Sequence, residues 1–356
     1  MNPPDLPSDG ARLRRDAEAV FRAGVARVDP RPMVRDTLRL EGDRLTVRMP
    51  EGPRSWDLGR FDRILLLGFG KAAAAMAHGA TDILGDRIEG GLVVVKSAPP
   101  AHGDRVRIVE AAHPVPDATS VAAARAMGDL ARRADERTLA LMLVSGGGSS
   151  LLCAPWADGP HAITLEDKAA VTRGLLACGA DIGEINTVRK HLSAVKGGRL
   201  AAALAPATVL TLVLSDVVGD DPATIASGPT VPDPSTWADA RAVVRRHGLE
   251  TRIPPVVARL LEDGAAGRVP DTPKPGDPAF ARVTNLVIGS NRLAVTAALL
   301  RARELGYATQ DLGSALTGEA RDLAASLLAR GLDELRRGVP PVAPACLLGG
   351  GEIQKT

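Results

Sequence analysis

Four short stretches of this sequence gather residue types that handle negatively charged groups. The first, LLLGFGKAAAAM, sets Gly68, Gly70 and Ala73 in G-x-G-x-x-A spacing with Lys71 among them. Between a strand and a helix, that spacing offers an anion the unpaired N–H groups and the favourable dipole of a helix start. The second, LALMLVSGGGSSLL, places Gly146, Gly147 and Gly148 between Ser145 and the pair Ser149 and Ser150. Three glycines let successive N–H groups converge in a nest for an anion, and the serines add hydroxyl donors. The third, INTVRKHLSAVKGGRLA, carries Asn186, Arg189, Lys190, Ser193 and Lys196. If it is helical, Asn186, Arg189, Lys190 and Ser193 share one face. The fourth, LVLSDVVGDDPATIASGPTVPDPST, puts Ser215 and Asp216 at the end of an apolar run, followed by Asp220 and Asp221. A carboxylate at a strand tip beside a phosphate cradle suits Mg²⁺, which prefers few protein carboxylates with waters and phosphate oxygens, so Asp216 is the expected metal ligand.

Each stretch also has a plainer reading. A dinucleotide fingerprint needs an acidic residue at the end of the next strand, and that strand ends in Lys96, which disfavours NAD and tolerates NADP. A nucleophile mount needs G-x-S-x-G, but Ser149 sits in GGSSL without the second glycine. The glycine run could be a turn alone, the cationic face could be solvated, and Asp216 or Asp220 could cap local turns. The six histidines form no HxH or HExxH pattern, and His113 in AAHPVPD reads as a hydrogen-bonded loop residue. Nests, lysines, an arginine and a carboxylate without a covalent nucleophile are the parts that phosphoryl transfer uses, since its catalysis is mostly positioning and charge neutralisation.

Such loops must be held by strands. Near-continuous apolar runs at 63–68, 91–96, 106–111, 139–144 and 208–214 alternate with helical patterns, which predicts a doubly wound α/β domain on a parallel sheet. Ligand loops belong at the carboxyl ends of those strands. Asp117 is placed to cap a helix ending near Arg133, and Thr164-Leu-Glu-Asp167 resembles a capping box for a helix reaching about Cys178. The pattern predicts a helical segment within 1–50 packing on the second domain, a Rossmann-like domain at 51–240 and a smaller α/β domain at 241–356. In that last domain, strands are expected at 284–289, near 307–312 and at 346–351, with helices at 292–305 and about 317–330.

Composition narrows the class. The chain has 356 residues with 45% hydrophobic and 2% aromatic content and a formal charge of +2, so aliphatic cores are affordable in size and no basic stripe suggests nucleic acid. Cys153, Cys178 and Cys346 lack any CxxC spacing and read as reduced thiols of a cytoplasmic protein. No apolar run reaches the roughly 20 residues of a membrane helix, and the N-terminus shows no leader pattern. Only seven of the 44 basic residues are lysine, which makes Lys71 beside a glycine loop informative.

The segments GFGKAAAAMA, EAAHPVPDATS, LVSGGGSSLL, EINTVRKHLSAVKGGRLA, LSDVVGDDPATIASGPTVPDPST and GSNRLAVTAA, spread over residues 68 to 298, resemble the type-2 glycerate kinases, or MOFRL family. The resemblance implies two α/β domains with the active site in the cleft between them. It implies transfer of the ATP γ-phosphoryl group to D-glycerate, giving 2-phosphoglycerate with help from Mg²⁺. It makes Lys71 essential, and substrate or nucleotide contacts are expected at the glycine loops and at Asn291 of the last segment. The partners expected are ATP and D-glycerate, with a homodimer left open. Two other readings stay open: an NADPH-dependent hydroxypyruvate reductase, a label some members carry, and a non-catalytic module that binds phospho-ligands. Family members continue after a strand like CLLGGGE with a segment of the type TTV…GxGGRNQE, whose arginine has no counterpart before this chain stops at EIQKT. The second domain is therefore expected to be incompletely covered, with apolar surface exposed near 284–289 and 346–348.

Overall fold

A computed structural model of the chain describes residues 10–99, 105–338 and 344–354. The first nine residues and the last two, on which the readings of the chain's two ends partly rest, lie outside the described residues. The chain divides into two compact units, one drawn from Met1–Asp29, Ser215–Asp220 and Gly289–Thr356, the other from Pro30–Leu214 and Asp221–Ile288.

The larger unit begins with α2 (Pro30–Thr37), which follows α1 (Gly10–Arg27) of the other unit, and an antiparallel three-stranded sheet of β1 (Leu38–Glu41), β2 (Arg44–Val47) and β3 (Arg54–Asp57). Its main sheet is built from β4 (Arg63–Phe69), β5 (Ile88–Val95), β6 (Val106–Glu110), β7 (Thr138–Ser145), β8 (Thr208–Leu214) and β9 (Val283–Gly289). The spatial order is β6-β5-β4-β7-β8-β9, with parallel pairing from β6 through β8. Counted from β4, this is the 3-2-1-4-5-6 order of a doubly wound sheet. The helices α3 (Ala73–Leu84), α4 (Ala118–Ala131), α5 (Gly148–Leu151), α6 (Leu165–Ala177), α7 (Ile182–His191), α8 (Arg199–Leu204), α9 (Trp237–Arg246) and α10 (Pro255–Ala265) complete the unit.

The strand β7 shows why the apolar runs become strands: all six residues of Leu139–Val144 are buried, as a sheet covered on both faces requires. Each large aliphatic side chain so buried contributes about 1.5–3 kcal/mol of transfer free energy before entropy is counted. Helix starts follow the expected caps. Asp117 accepts from Thr119 and Ser120 N–H, and Thr164 and Asp167 form a reciprocal capping box. One residue past the point where β5 shifts register against β4, Gly91 lies so close to the carbonyl of Leu66 that a Cβ has no room.

The expected strand at 284–289 is present as β9, but as the edge strand beside β8 in the main sheet. Val209 N–H donates to Arg282 O at 2.9 Å. Leu286 and Ile288 are buried in the larger unit's core, which corrects the expectation of exposed apolar surface there.

The smaller unit packs α1 on α11 (Asn291–Glu304), where Gly24 lets the helices approach: a Cβ there would sit 3.0 Å from Ala294 O. Tyr307 donates its hydroxyl to Asp16 at 2.7 Å. Two short parallel pairs follow, β10 (Ala308–Asp311) with β12 (Ala345–Leu348) and β11 (Leu316–Glu319) with β13 (Gly351–Gln354), around α12 (Ala320–Arg337). The 346–351 run is thus split between two strands, and Cys346 and Leu348 are half-buried against Val20, Ala298 and Ala302. Among the described residues no helix is long and apolar enough to cross a membrane.

The Gly91 contact generates a stability test. Gly91→Ala forces β4 and β5 apart at the Leu66–Gly91 pair and is expected to lower unfolding free energy by roughly 2 kcal/mol, read by urea denaturation.

Candidate active site

Strand order reverses between β4 and β7, and the two glycine loops leave the carboxyl ends of these two strands. In the first loop the backbone donors are already used. Gly70 N–H donates to Val94 O at 3.1 Å, Lys71 N–H to Gly146 O at 2.9 Å, and Ala72 N–H to the Ser145 hydroxyl at 3.0 Å. Gly70, at φ +129°, has Ser145 packed where a Cβ would stand. The G-x-G-x-x-A loop is therefore a bracket that clamps the second loop, with no free N–H at these three positions for a pyrophosphate. What it presents outward is the exposed side chain of Lys71.

The second loop presents the open backbone. Gly147 takes φ +81°, and α5 starts at Gly148, so the N–H groups of Gly148 and Ser149 have no partner within the helix. A Cβ on Gly147 would lie 2.8 Å from the His113 ring and 3.3 Å from Lys71 Cε, and one on Gly148 would lie 2.9 Å from Phe69 and 3.0 Å from Ala226 Cβ. Glycine is needed at both positions, and Lys71 and His113 flank the nest. The serines mainly shape it. Ser150 donates to Pro114 O at 2.6 Å, and Ser149 meets Ser227 at 3.0 Å, whose hydroxyl donates to Asn186 Oδ1 at 3.2 Å.

The INTVRKHLSAVKGGRLA stretch is helical only to His191, so Ser193 does not share a face with Asn186, Arg189 and Lys190 as expected. A Gly-Gly pair with φ of +57° and +80° at Gly197 and Gly198 turns the chain before α8, and Ser193 braces the turn by donating to Ala154 O at 3.1 Å. Gly197 N–H donates to Ser227 O at 3.0 Å and Gly198 N–H to Gly228 O at 2.8 Å. This joins the lysine turn to the segment Ala226-Ser227-Gly228, in which Ala226 and Ser227 hold left-handed φ of +52° and +63°. Such values in residues with a Cβ store local strain of order 1–3 kcal/mol each and concentrate at functional sites. The strained Ala226 carbonyl faces Lys196 Nζ at 3.3 Å, and Lys196 is only 1% exposed.

The cationic stretch is therefore a buried wall rather than a solvated face, and its members divide into two kinds. Lys190 is committed, pairing with fully buried Asp233 at 3.3 Å. His191 and Arg199 extend that network. His191 bonds Asp271 at 2.9 Å, and Arg199 donates to the carbonyls of Lys190 and Ser193 while stacking 4.7 Å over Trp156. Burial pushes the Asp271 carboxyl up, but hydrogen bonds from His191, Lys274 and Thr272 outweigh it and hold the group well below the usual carboxylate range. Arg189 and Lys196, by contrast, form no ion pair with a carboxylate among the described residues. Burial lowers the pKa of both, and for Lys196 the nearby charges of Arg189 and Lys168 lower it further.

The larger unit thus brings together Gly68, Gly70, Lys71, the Ser145–Ser150 nest, Asn186, Arg189 and Lys196, while Ser215, Asp216, Asp220 and Asn291 belong to the smaller unit. Leu214, which pairs with Ser145 in register, stands two residues ahead of Asp216. Asp216 is exposed, Ser215 turns its hydroxyl onto its own turn at Val217, Asp220 lies 3.8 Å from Arg292, and Asn291 donates to Gly351 O at 3.4 Å. Sequence reasoning passed over Lys168, Ser227 and the placement of His113. The one available signal was the scarcity of lysine, which applied to Lys168 as much as to Lys71.

Comparison with known proteins gives this geometry relatives. A protein of Agrobacterium vitis, provisionally named a hydroxypyruvate reductase, is 41% identical over 333 residues, spanning 94% of this chain and 69% of its own. The glycerate 2-kinase of Pyrococcus horikoshii is 35% identical over 328 residues, 92% of this chain and 71% of its own. The crystal structure of glycerate kinase from Thermotoga maritima superposes with a TM-score of 0.80 at 35% identity, over 97% of this chain and 75% of that one. Residues 16–262 match the family described as Domain of unknown function (DUF4147), and with relatives this similar over most of its length, the chain belongs to that family.

Proposed function

We propose that the chain is a glycerate 2-kinase, transferring the γ-phosphoryl group of ATP to D-glycerate to give 2-phosphoglycerate. The observation that carries the reading is the nest at the strand-order reversal, lined by Lys71 and backed by Arg189 and Lys196, which pair with no carboxylate among the described residues. The glycerate kinase names of relatives with matching sequence and fold support the same chemistry. Phosphoryl transfer needs donors fixed where negative charge gathers, with little covalent participation by the protein. In this reading Gly148 and Ser149 N–H groups hold a phosphate or carboxylate oxygen, Lys71 neutralises charge from the open side, and Arg189 and Lys196 do so from the buried side. Lys190 is a positioning residue: its pairing with Asp233 and the Arg199 hydrogen bonds fix the turn that carries Lys196.

Among the described residues no group of three or more acidic, cysteine or histidine side chains forms a closed metal cage. The donor chemistry suits Mg²⁺ all the same, since an exposed carboxylate such as Asp216 leaves coordination positions for water and phosphate oxygens. When bound, the ion would screen the charge on the phosphates. A cytoplasmic setting is part of the same proposal, supported by the three free cysteines. The reductase alternative draws no support from the first loop, whose N–H groups at Gly70, Lys71 and Ala72 are occupied.

Incubated with ATP, D-glycerate and Mg²⁺, the protein is expected to release ADP and 2-phosphoglycerate in equal amounts. A parallel cuvette of hydroxypyruvate and NADPH should hold its absorbance at 340 nm. Lys71→Ala should lower kcat/KM by a factor of about 100 or more, the range seen when an electrostatic donor is removed from a transition state; wild-type turnover would remove Lys71 from the mechanism. Gly147→Ala, which drives a methyl group into His113 and strains φ, should reduce kcat/KM at least tenfold while thermal unfolding shifts by only a few degrees.

A further inference from the structure

Behind the nest lies a lysine that the assigned chemistry does not use. Lys168, on α6, is 4% exposed, and its ammonium has no hydrogen-bond partner among the described residues. The groups near enough to act on it electrostatically are Cys153, which follows α5 by two residues, and the cations Arg189 and Arg199; Lys196 is in turn acted on by Lys168, Arg189 and Cys153. Neither Lys168, Arg189 nor Lys196 pairs with a carboxylate among the described residues. The acidic neighbours on its own helix do not supply one, because Asp167 is used in the Thr164 capping box and Glu166 lies on the same exposed first turn. Asp233 and Asp271 act on Arg199 and are bonded to Lys190 and His191.

Two buried ammonium groups and a half-buried guanidinium gathered without a carboxylate cost several kcal/mol of desolvation and repulsion. A fold keeps such a cluster where an anion completes it. We propose that Lys168, Arg189 and Lys196 form one receptor for an oxyanion behind the glycine nest, with the otherwise unpartnered Lys168 ammonium as its innermost donor. The phosphotransfer reading supplies only the identity of the physiological anion, a phosphoryl group or the acceptor's carboxylate; the receptor itself does not depend on it.

Burial, with the charges of Arg189 and Arg199, lowers the Lys168 pKa to about 8, opposed by Cys153. Burial and the charges of Arg189 and Lys168 lower the Lys196 pKa as well, and an entering anion favours the charged form of both lysines. The same shift gives a sign for stability. A lysine whose pKa is lower folded than unfolded makes the folded state hold fewer protons between about pH 8 and 10.5, so its contribution to stability rises with pH across that window and is unfavourable below it. Removing the amine should therefore relieve the empty protein at pH 7.

The test is calorimetric titration of the full chain with sodium sulfate, which does not titrate in this range, and separately with D-glycerate, at pH 7 and pH 9. Wild type should bind at least one of them, with affinity falling about tenfold between the two pH values as a group titrating near pH 8 loses its proton. Binding of sulfate assigns the receptor to a phosphoryl group, and binding of D-glycerate alone assigns it to a carboxylate. Lys168→Met should weaken binding at least tenfold at pH 7 while leaving the thermal midpoint unchanged or higher, a pairing that a purely structural lysine would not give. Lys168→Arg, which keeps its proton, should bind at pH 7 and lose much of the fall at pH 9. Absence of binding by both anions, or a Lys168→Met protein that binds as wild type, would overturn the proposal. Neither measurement requires turnover, so a chain that binds sulfate this way yet phosphorylates nothing would contradict the kinase reading alone.

Discussion

The reversal of strand order between β4 and β7 is the constraint on which the rest of the larger unit depends. Parallel strands leave the sheet at the same end, and helices that wind away to opposite faces leave a crevice between their first turns. At this point two loops must share a space too small for side chains, which is why Gly70, Gly147 and Gly148 have neighbours where a Cβ would stand. The loops answer the crowding by bonding to one another. Lys71 N–H is given to Gly146 O and Ala72 N–H to Ser145, so the first loop supports the second, which is the proposed receptor.

Behind the receptor the protein arranges charge in two ways. Lys190, His191 and Arg199 are matched by Asp233, Asp271, backbone carbonyls and the Trp156 ring, which makes a rigid frame out of groups that would be costly alone. Lys168, Arg189 and Lys196 are left without carboxylates and converge on the side of the nest marked by Cys153 and the strained Ala226 carbonyl. The frame holds the turn that carries Lys196, and the unmatched cations supply the field. In the proposed reading a bound anion relieves that charge arrangement, the usual relation between a site and its scaffold.

The larger unit's sheet was legible because its signal is redundant: LALMLV is apolar at every position and TVLTLVL at all but its two threonines, and strands covered on both faces use such runs. The 284–289 strand was read correctly as a strand and assigned to the wrong sheet. Its pattern does not distinguish an edge strand of one unit from the first strand of another, and the Pro/Gly-rich stretch before it looks like a boundary. The site was legible in its residue types and less so in its division of labour. Nothing in INTVRKHLSAVK tells which lysine faces an aspartate, since Asp233 lies 43 positions beyond Lys190. Lys168 was missed for a related reason: in LEDKAAVT it follows a capping box and reads as the solvated first turn of a helix, while tertiary packing buries it.

The claim that the second glycine loop receives the anion while the first supports it can be read directly from backbone amides. Protein labelled with ¹⁵N-glycine, titrated with 2-phosphoglycerate and followed by transverse-relaxation-optimised NMR, should show the amide resonances of Gly146, Gly147 and Gly148 moving together along one saturation curve, with the Gly70 amide, held by Val94 O, nearly still. Movement concentrated at Gly68 and Gly70 with the three nest glycines unchanged would contradict the account.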